Sequence, residues 1–432
     1  MIKSRYAYCF YTLLLWALLP SVFWHLFKRS RRQPAYLEHV AERFGDYATL
    51  PQTHTQKPVI WLHAVSVGET RAAAPLVKRL LETHPQHQIL LTHMTPTGRE
   101  TGRQLYGDKV LQCYLPYDFP FAVERFLRHF KPVIGMLMET EIWFNLIHAC
   151  KQKNIPLLLV NARMSEKSAA KYLRFGTLTR ASLRALRAIA AQTQGDADRL
   201  SALGAPAVQV TGNLKFDISP PPASRALGAG LRQHFGKGRP VFLAASTREA
   251  GDENEEALLL DVLGKFSVPG LLVLIVPRHP QRFDEVAALL QRRGVRFQRR
   301  SQLLPGSAVA MGTQVVLGDS MGEMFAYYAA CDLAFVGGSL LPLGGQNLIE
   351  ACATGKPVLV GAHTFNFDEV TELAIAAGAA LRVQTVEELA REVSALLGDP
   401  ARLAAMSKTA SGFAARHRGA AERIMEMVKI LL

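Results

Sequence analysis

Short aliphatic and β-branched runs recur along the chain, separated by longer stretches of helical period. They fall at 59–65, 88–93, 133–138, 156–160, 188–192 and 208–211, then at 241–245, 271–276, 314–317, 333–336 and 357–360. Each run is too short for a core helix and each feeds a mixed apolar and polar stretch, the pattern of parallel strands joined by crossover helices. Between the two series, residues 218–240 break the alternation and carry Pro220, Pro221 and Pro222, so a linker is expected there. The expected fold class is α/β, with two Rossmann-like domains facing a cleft, one over 33–219 and one over 220–432. No repeat of roughly 20 to 50 residues is visible, which argues against a solenoid.

The amino terminus departs from this alternation. Residues 7–27 contain no Lys, Arg, Asp or Glu, a run close to the roughly 20 residues that cross a bilayer. Lys3 and Arg5 precede it, whereas Lys28, Arg29, Arg31 and Arg32 follow, and this bias places the rest of the chain on the cytoplasmic side. No A-x-A site closes the run, so a cleaved signal peptide is disfavoured. Residues 1–32 therefore read as a membrane anchor with a basic flank. Pro20 and His25 leave two forms open, a spanning helix and a half-inserted one gripping acidic headgroups.

Composition narrows the partners. With 432 residues, 49% hydrophobic and 20% charged, the chain is globular and large enough for several domains. A net charge of +14 calls for an anionic partner: nucleic acid, an acidic membrane surface or a phosphorylated substrate. Cys9, Cys113, Cys150, Cys331 and Cys352 are odd in number and never in C-x-x-C, which reads as reduced, buried thiols. The 13 histidines show no metal-ligand spacing, so neither a metal nor another cofactor is expected.

In open parallel sheets, ligands sit beyond the carboxyl ends of the strands. After the first run, Ser66 and Gly68 make a turn into a helix whose first turn holds Glu69. That glutamate suits a helix amino terminus, and equally a general base for an attacking hydroxyl. Glu139 and Glu141 follow the third run, and Lys215 follows the sixth, where it could offset developing negative charge. In the second half, Pro277 and Arg278 end an apolar strand, with the guanidinium placed to hold a phosphate or carboxylate. Met321, Gly322 and Glu323 start one helix, and Gly344-Gly345-Gln346-Asn347-Leu348-Ile349-Glu350 opens another whose amides suit an anion. No G-x-G-x-x-G or Walker lysine occurs, and nucleotide-sugar binding fits better. Asp196-Ala-Asp198 has the D-x-D form of metal-dependent glycosyltransferases, but its place after Thr193 favours helix capping.

These segments together resemble the bacterial 3-deoxy-D-manno-oct-2-ulosonic acid (Kdo) transferases of lipopolysaccharide assembly. HAVSVGET at His63, TPTG at Thr95, LPYD at Leu115, METEIW at Met138, NAR at Asn161 and GNLKFD at Gly212 carry the likeness in the first half. VPRHPQRF at Val276, GDSMGE at Gly318, AFVGGS at Ala334, GGQNLIEA at Gly344 and HTFNF at His363 carry it in the second. The resemblance implies a GT-B glycosyltransferase fold with an acceptor-side first domain, a CMP-side second domain and no obligatory metal. It implies CMP-Kdo as donor, a lipid A precursor of the lipid IVA type as acceptor, an anionic inner-membrane surface on the cytoplasmic side, and no nucleic acid. It assigns Glu69 as the base, Glu139 and Lys215 as transition-state stabilisers, and Pro277, Arg278, Met321, Gly322, Glu323, Asn347, Leu348, Ile349 and Glu350 to CMP. One departure is Gln346, where the family often has histidine; glutamine still offers a donor and an acceptor. Two rivals remain open on the residues: a nucleotide-sugar epimerase of the same architecture, and a non-catalytic protein that binds acidic lipid.

Overall fold

The computed structural model describes residues 2–31, 33–48, 50, 57–236, 238–303 and 306–432, with side chains from residue 6 onward. Arg32 of the basic flank lies outside the described residues. The chain forms two compact units, Met1–Asp217 with Arg418–Leu432, and Ile218–His417.

The first unit holds β1 (Val59–His63), β2 (Gln88–His93), β3 (Leu111–Tyr114), β4 (Pro132–Met138), β5 (Leu157–Ala162), β6 (Ala188–Ala191) and β7 (Gln209–Val210). They pair in parallel in the order β3-β2-β1-β4-β5-β6-β7. The order reverses between β1 and β4, where successive crossovers leave on opposite sides and open a crevice at the strand ends. Every residue of β1 and β5 is buried, as expected for parallel strands covered by helices on both faces.

The second unit holds β8 (Val241–Thr247), a hairpin of β9 (Glu249–Ala250) and β10 (Glu253–Asn254), then β11 (Leu272–Pro277), β12 (Phe297–Arg299), β13 (Val315–Leu317), β14 (Leu333–Val336), β15 (Val358–Val360) and β16 (Ala380–Arg382). Its parallel order is β12-β13-β11-β8-β14-β15-β16, so here the reversal falls between β8 and β14. β3, β12 and β16, absent from the hydrophobic alternation, are all edge strands, and two of them carry half-exposed residues at most positions.

Two features differ from the sequence expectation. The 218–240 stretch is no bare linker, since the helix Pro222–Phe235 fills most of it. Pro222 stands in the first turn, where a missing N–H costs nothing, and Gly236 closes the other end. Gly228 lets this helix lie close against Ala326 and Ala329. Residues 418–432, expected with the second domain, pack in the first unit. The Asp217 carboxylate accepts the amides of Gly419 and Ala421, and Ile424, Met425 and Val428 join Leu76 and Leu80 in the core. An apolar stripe of period 3.6 says that a helix covers a sheet, without saying which sheet.

The amino-terminal helix Ile2–Ser30 continues through Pro20. Its segment Tyr6–Ser30 is long and apolar enough to cross a membrane by length and composition. One side meets the first unit: the Tyr11 hydroxyl donates to Asp118 at 3.0 Å, and Trp16 and Phe23 pack on Phe119 and Phe44. Asp118 in turn accepts the amides of Asn145 and Leu146 at 2.9 and 2.8 Å. Tyr6, Phe10, Leu13 and Trp24 are exposed. Among the cysteines, four are buried thiols, whereas Cys9 on this helix is exposed, contrary to the expectation that all five are buried.

Candidate active site

In the first unit, the strands that flank the reversal carry the acids. Ser66 caps the helix Val67–Ala72, and Glu69 in its first turn folds back to accept the Val65 amide at 2.7 Å and the Ser66 hydroxyl at 3.3 Å, a relative of the capping box. The capping reading of Glu69 is what these contacts show, and they set its carboxyl at the end of β1 beside the reversal. Burial pushes it up to about 8, the charge of Glu139 adds to the rise, and the Val65 amide opposes it. Glu139 follows β4 in the left-handed region, φ 55°, with its amide donating to Val160 O at 3.0 Å. A non-glycine residue held in that region is sparsely populated and is found where the surroundings over-determine it. Glu141 points elsewhere, accepting the Trp143 indole N–H at 2.6 Å, and burial raises it too.

Lys215 follows β7, three places from β4 in the sheet, yet its loop folds back. Leu214 is fully buried in one cluster with Met138 and Val160, and its amide donates to Asn161 Oδ1 at 2.9 Å. Asn161, the penultimate residue of β5, takes φ 50°, its main-chain carbonyl accepts Gln192 Nε2 at 2.9 Å, and Gln192 Oε1 accepts Asn213 Nδ2 at 2.8 Å. Asn213 Oδ1 then takes the Lys215 amide at 2.9 Å, closing a ring that ties the Lys215 loop to the ends of β5 and β6. Residue-type reasoning alone missed Gln192 and Asn213 in this ring. Behind the site, His63 and His93 are buried and neutral, pushed down to about 3 and about 4 chiefly by burial.

In the second unit, the expected residues come from strands beside the reversal. Pro277 ends β11 and is buried, and the Arg278 amide donates to Thr247 O at 2.9 Å. Buried Tyr328 feels the charges of both Glu350 and Arg278, so the segments after β11 and β14 converge around it. Met321 is exposed and Gly322 takes φ 79°, while Glu323 is held by Ser320 Oγ at 2.5 Å and paired with Arg300 at 3.2 Å. The helix expected to start near Asn347 is only Ile349–Ala353, and Asn347 Oδ1 already accepts the Ile349 amide at 3.0 Å. The Ile349 amide is thereby taken from the set expected to face an anion. Leu348 and Ile349, both expected at the donor, are fully buried. Asp196 accepts the Thr193 hydroxyl at 2.6 Å and the Met164 amide at 2.7 Å, which is a capping arrangement. Among the described residues, no three His, Cys, Asp or Glu side chains gather as a metal-binding group.

The architecture is the GT-B fold. A glycosyltransferase from Rickettsia africae matches at a TM-score of 0.55 and 15% identity, over 87% of this chain and 99% of that one. A UDP-GlcNAc 2-epimerase from Neisseria meningitidis matches equally, at a TM-score of 0.55 and 17% identity over 86% and 99%, so the fold by itself does not choose the reaction. The sequence does. The family described as 3-deoxy-D-manno-octulosonic-acid transferase (kdotransferase) matches residues 38–218. A 3-deoxy-D-manno-octulosonic acid transferase of Bordetella pertussis is 44% identical over 97% of this chain and 98% of its own length. The chain belongs to the Kdo transferase family, and with it to the glycosyltransferases.

Proposed function

We propose that this protein moves Kdo from CMP-Kdo to a lipid A precursor of the lipid IVA type, with inversion at the anomeric carbon, in lipopolysaccharide core assembly at the cytoplasmic face of the inner membrane. The observation that carries the reading is the carboxyl of Glu69 beside Glu139 at the reversal of the first sheet, in a chain of this family. Glu69 takes the proton of the acceptor hydroxyl as its oxygen bonds to the anomeric carbon. The bond from that carbon to the CMP phosphate oxygen breaks, and CMP leaves with the electron pair. Glu139 and Lys215 stabilise charge in that transition state. Arg278 takes the donor phosphate in the second unit, where Pro277, the 321–323 segment and the 347–350 segment complete the CMP contacts. No metal or other cofactor takes part in the proposed reaction.

The acceptor keeps its acyl chains in the bilayer, which gives the apolar face of helix Ile2–Ser30 a purpose. Lys28, Arg29 and Arg31 at its end suit acidic headgroups. The test is incubation of the purified protein with a lipid A precursor, freshly generated CMP-Kdo and EDTA, followed by mass analysis of the lipid. A gain of one or more Kdo units, lost in Glu69→Ala while CMP binding persists, is the expected result. No gain with intact donor, or full transfer by Glu69→Ala, overturns the assignment.

A further inference from the structure

We propose that Glu255 is a positioning residue for the donor: its carboxylate bridges the reversal of the second sheet and sets the backbone that presents Arg278 and the 344–350 segment to the sugar nucleotide. This deepens the donor reading above and rests on it. Glu255 begins the helix Glu255–Asp261 and is fully buried. Oε2 accepts the amides of Arg248 at 3.0 Å and Gly338 at 2.6 Å. Oε1 accepts those of Ser339 at 3.1 Å and Leu340 at 3.0 Å. Arg248 follows β8 and the 338–340 loop follows β14, the two strands between which the sheet order turns. One carboxylate therefore ties together the two chain segments that the topology drives apart.

The ties continue outward to the donor segments. Thr247 O, next to Arg248, takes the Arg278 amide, and Thr247 Oγ1 donates to the neighbouring buried Glu256 at 2.7 Å. Gly338 O takes the Gly345 amide at 2.7 Å, at the head of the 344–350 segment. The junction is tight, since a Cβ at Gly337 would lie 2.6 Å from Ser246 O, and Ser246 itself holds φ 57°. Such a left-handed serine persists only where flanking contacts fix it, and Glu255 fixes the 248 side of it.

The chemistry also says where the donor phosphate is not held. Three successive amides after a strand form a nest that suits an anion, and here the anion is internal. The donor phosphate is left to Arg278 and the groups near Tyr328.

Glu255→Gln is the decisive variant because the amide nitrogen must face two N–H donors, leaving two buried amides unsatisfied. In the full chain in detergent, calorimetric titration with CMP should show affinity at least tenfold weaker than wild type. The KM for CMP-Kdo should rise by a similar factor, with the acceptor KM within twofold and amide exchange at 338–340 and 345 accelerated. Wild-type CMP affinity and donor KM in a folded Glu255→Gln protein overturn the proposal. If wild type itself binds no CMP, the donor reading fails instead, and unchanged exchange at 338–340 in the variant would still sink the clamp. Should the variant not fold, wild-type hydrogen exchange decides: amides 338–340 slow both without and with CMP support the clamp. Amides that exchange fast and become protected only on adding CMP overturn it.

Discussion

Gly135 of β4 stands directly across the ladder from Trp61 of β1, and the indole fills the space a side chain at 135 would need. A Cβ there would lie 2.6 Å from the Trp61 ring and 2.6 Å from Leu157 Cδ1. Gly135→Ala should therefore cost about 1–3 kcal/mol through forced repacking, read as a lower midpoint in thermal unfolding. An unchanged midpoint would mean that the β1 and β4 pairing gives way easily.

The carboxyl of Glu69 sets the expected pH profile. Held at about 8 in the ligand-free protein, it is mostly protonated at neutral pH, and the base form grows as pH rises. With the acceptor varied, kcat/KM should climb about tenfold per pH unit below that value and level off above it. Glu139→Gln removes a charge that raises Glu69, so the limb should move to lower pH even as the rate falls. A limb that stays in place would separate Glu139 from Glu69 electrostatically.

Glu42 and Arg99 form a buried two-pronged ion pair at 3.0 and 3.2 Å, and the same glutamate accepts the Tyr114 amide at 2.7 Å. Glu42→Leu or Arg99→Leu alone should cost about 3–5 kcal/mol because each strands a buried charge. The double replacement by leucines should cost less than the two single losses together. Strict additivity in denaturant unfolding would show that the pair is uncoupled.

His63 and His93 make stability depend on acid. Their folded values lie below the ordinary 6.5, so the unfolded chain binds more protons, and stability falls as pH drops through 6.5. The loss continues to about 4 for His93 and about 3 for His63, at about 1.4 kcal/mol per pH unit for each ring. Glu69, held up at about 8, acts in the opposite direction over the same range, so the ring contribution is read as a difference: the stability of wild type relative to His93→Gln should fall as pH drops from 7.5 to 5. A level difference would place water or protons at that ring.

How much the chain declares of itself follows from where each signal lies. Central strands such as β1, β8 and β14 are buried throughout, and apolar up to the His63 that ends β1 and the Ser246-Thr247 that ends β8, so they stand out against their surroundings. Edge strands such as β3, with Gln112 inside it, do not. Glu69, Glu139 and Arg278 could be marked as candidates because strand ends are where polar residues need a reason. Glu255 could not, for it lies in an acidic stretch, Glu253-Asn254-Glu255-Glu256, that reads as solvated surface. Only the fold reveals that two of those carboxylates are fully buried. Leu214 is a similar case, since the foldback that brings Lys215 toward β5 depends on a tertiary contact between distant segments, the Leu214 amide on Asn161.

The return of helix Ala420–Leu431 to the first unit makes the second unit an insertion within the first. A ribosome therefore delivers all of Ile218–His417 before it delivers the helix that covers Leu76 and Leu80. The second unit is contiguous and can complete its own folding during synthesis. The first must wait with an uncovered apolar face until residues 420–431 emerge, a period in which the chain is exposed to aggregation.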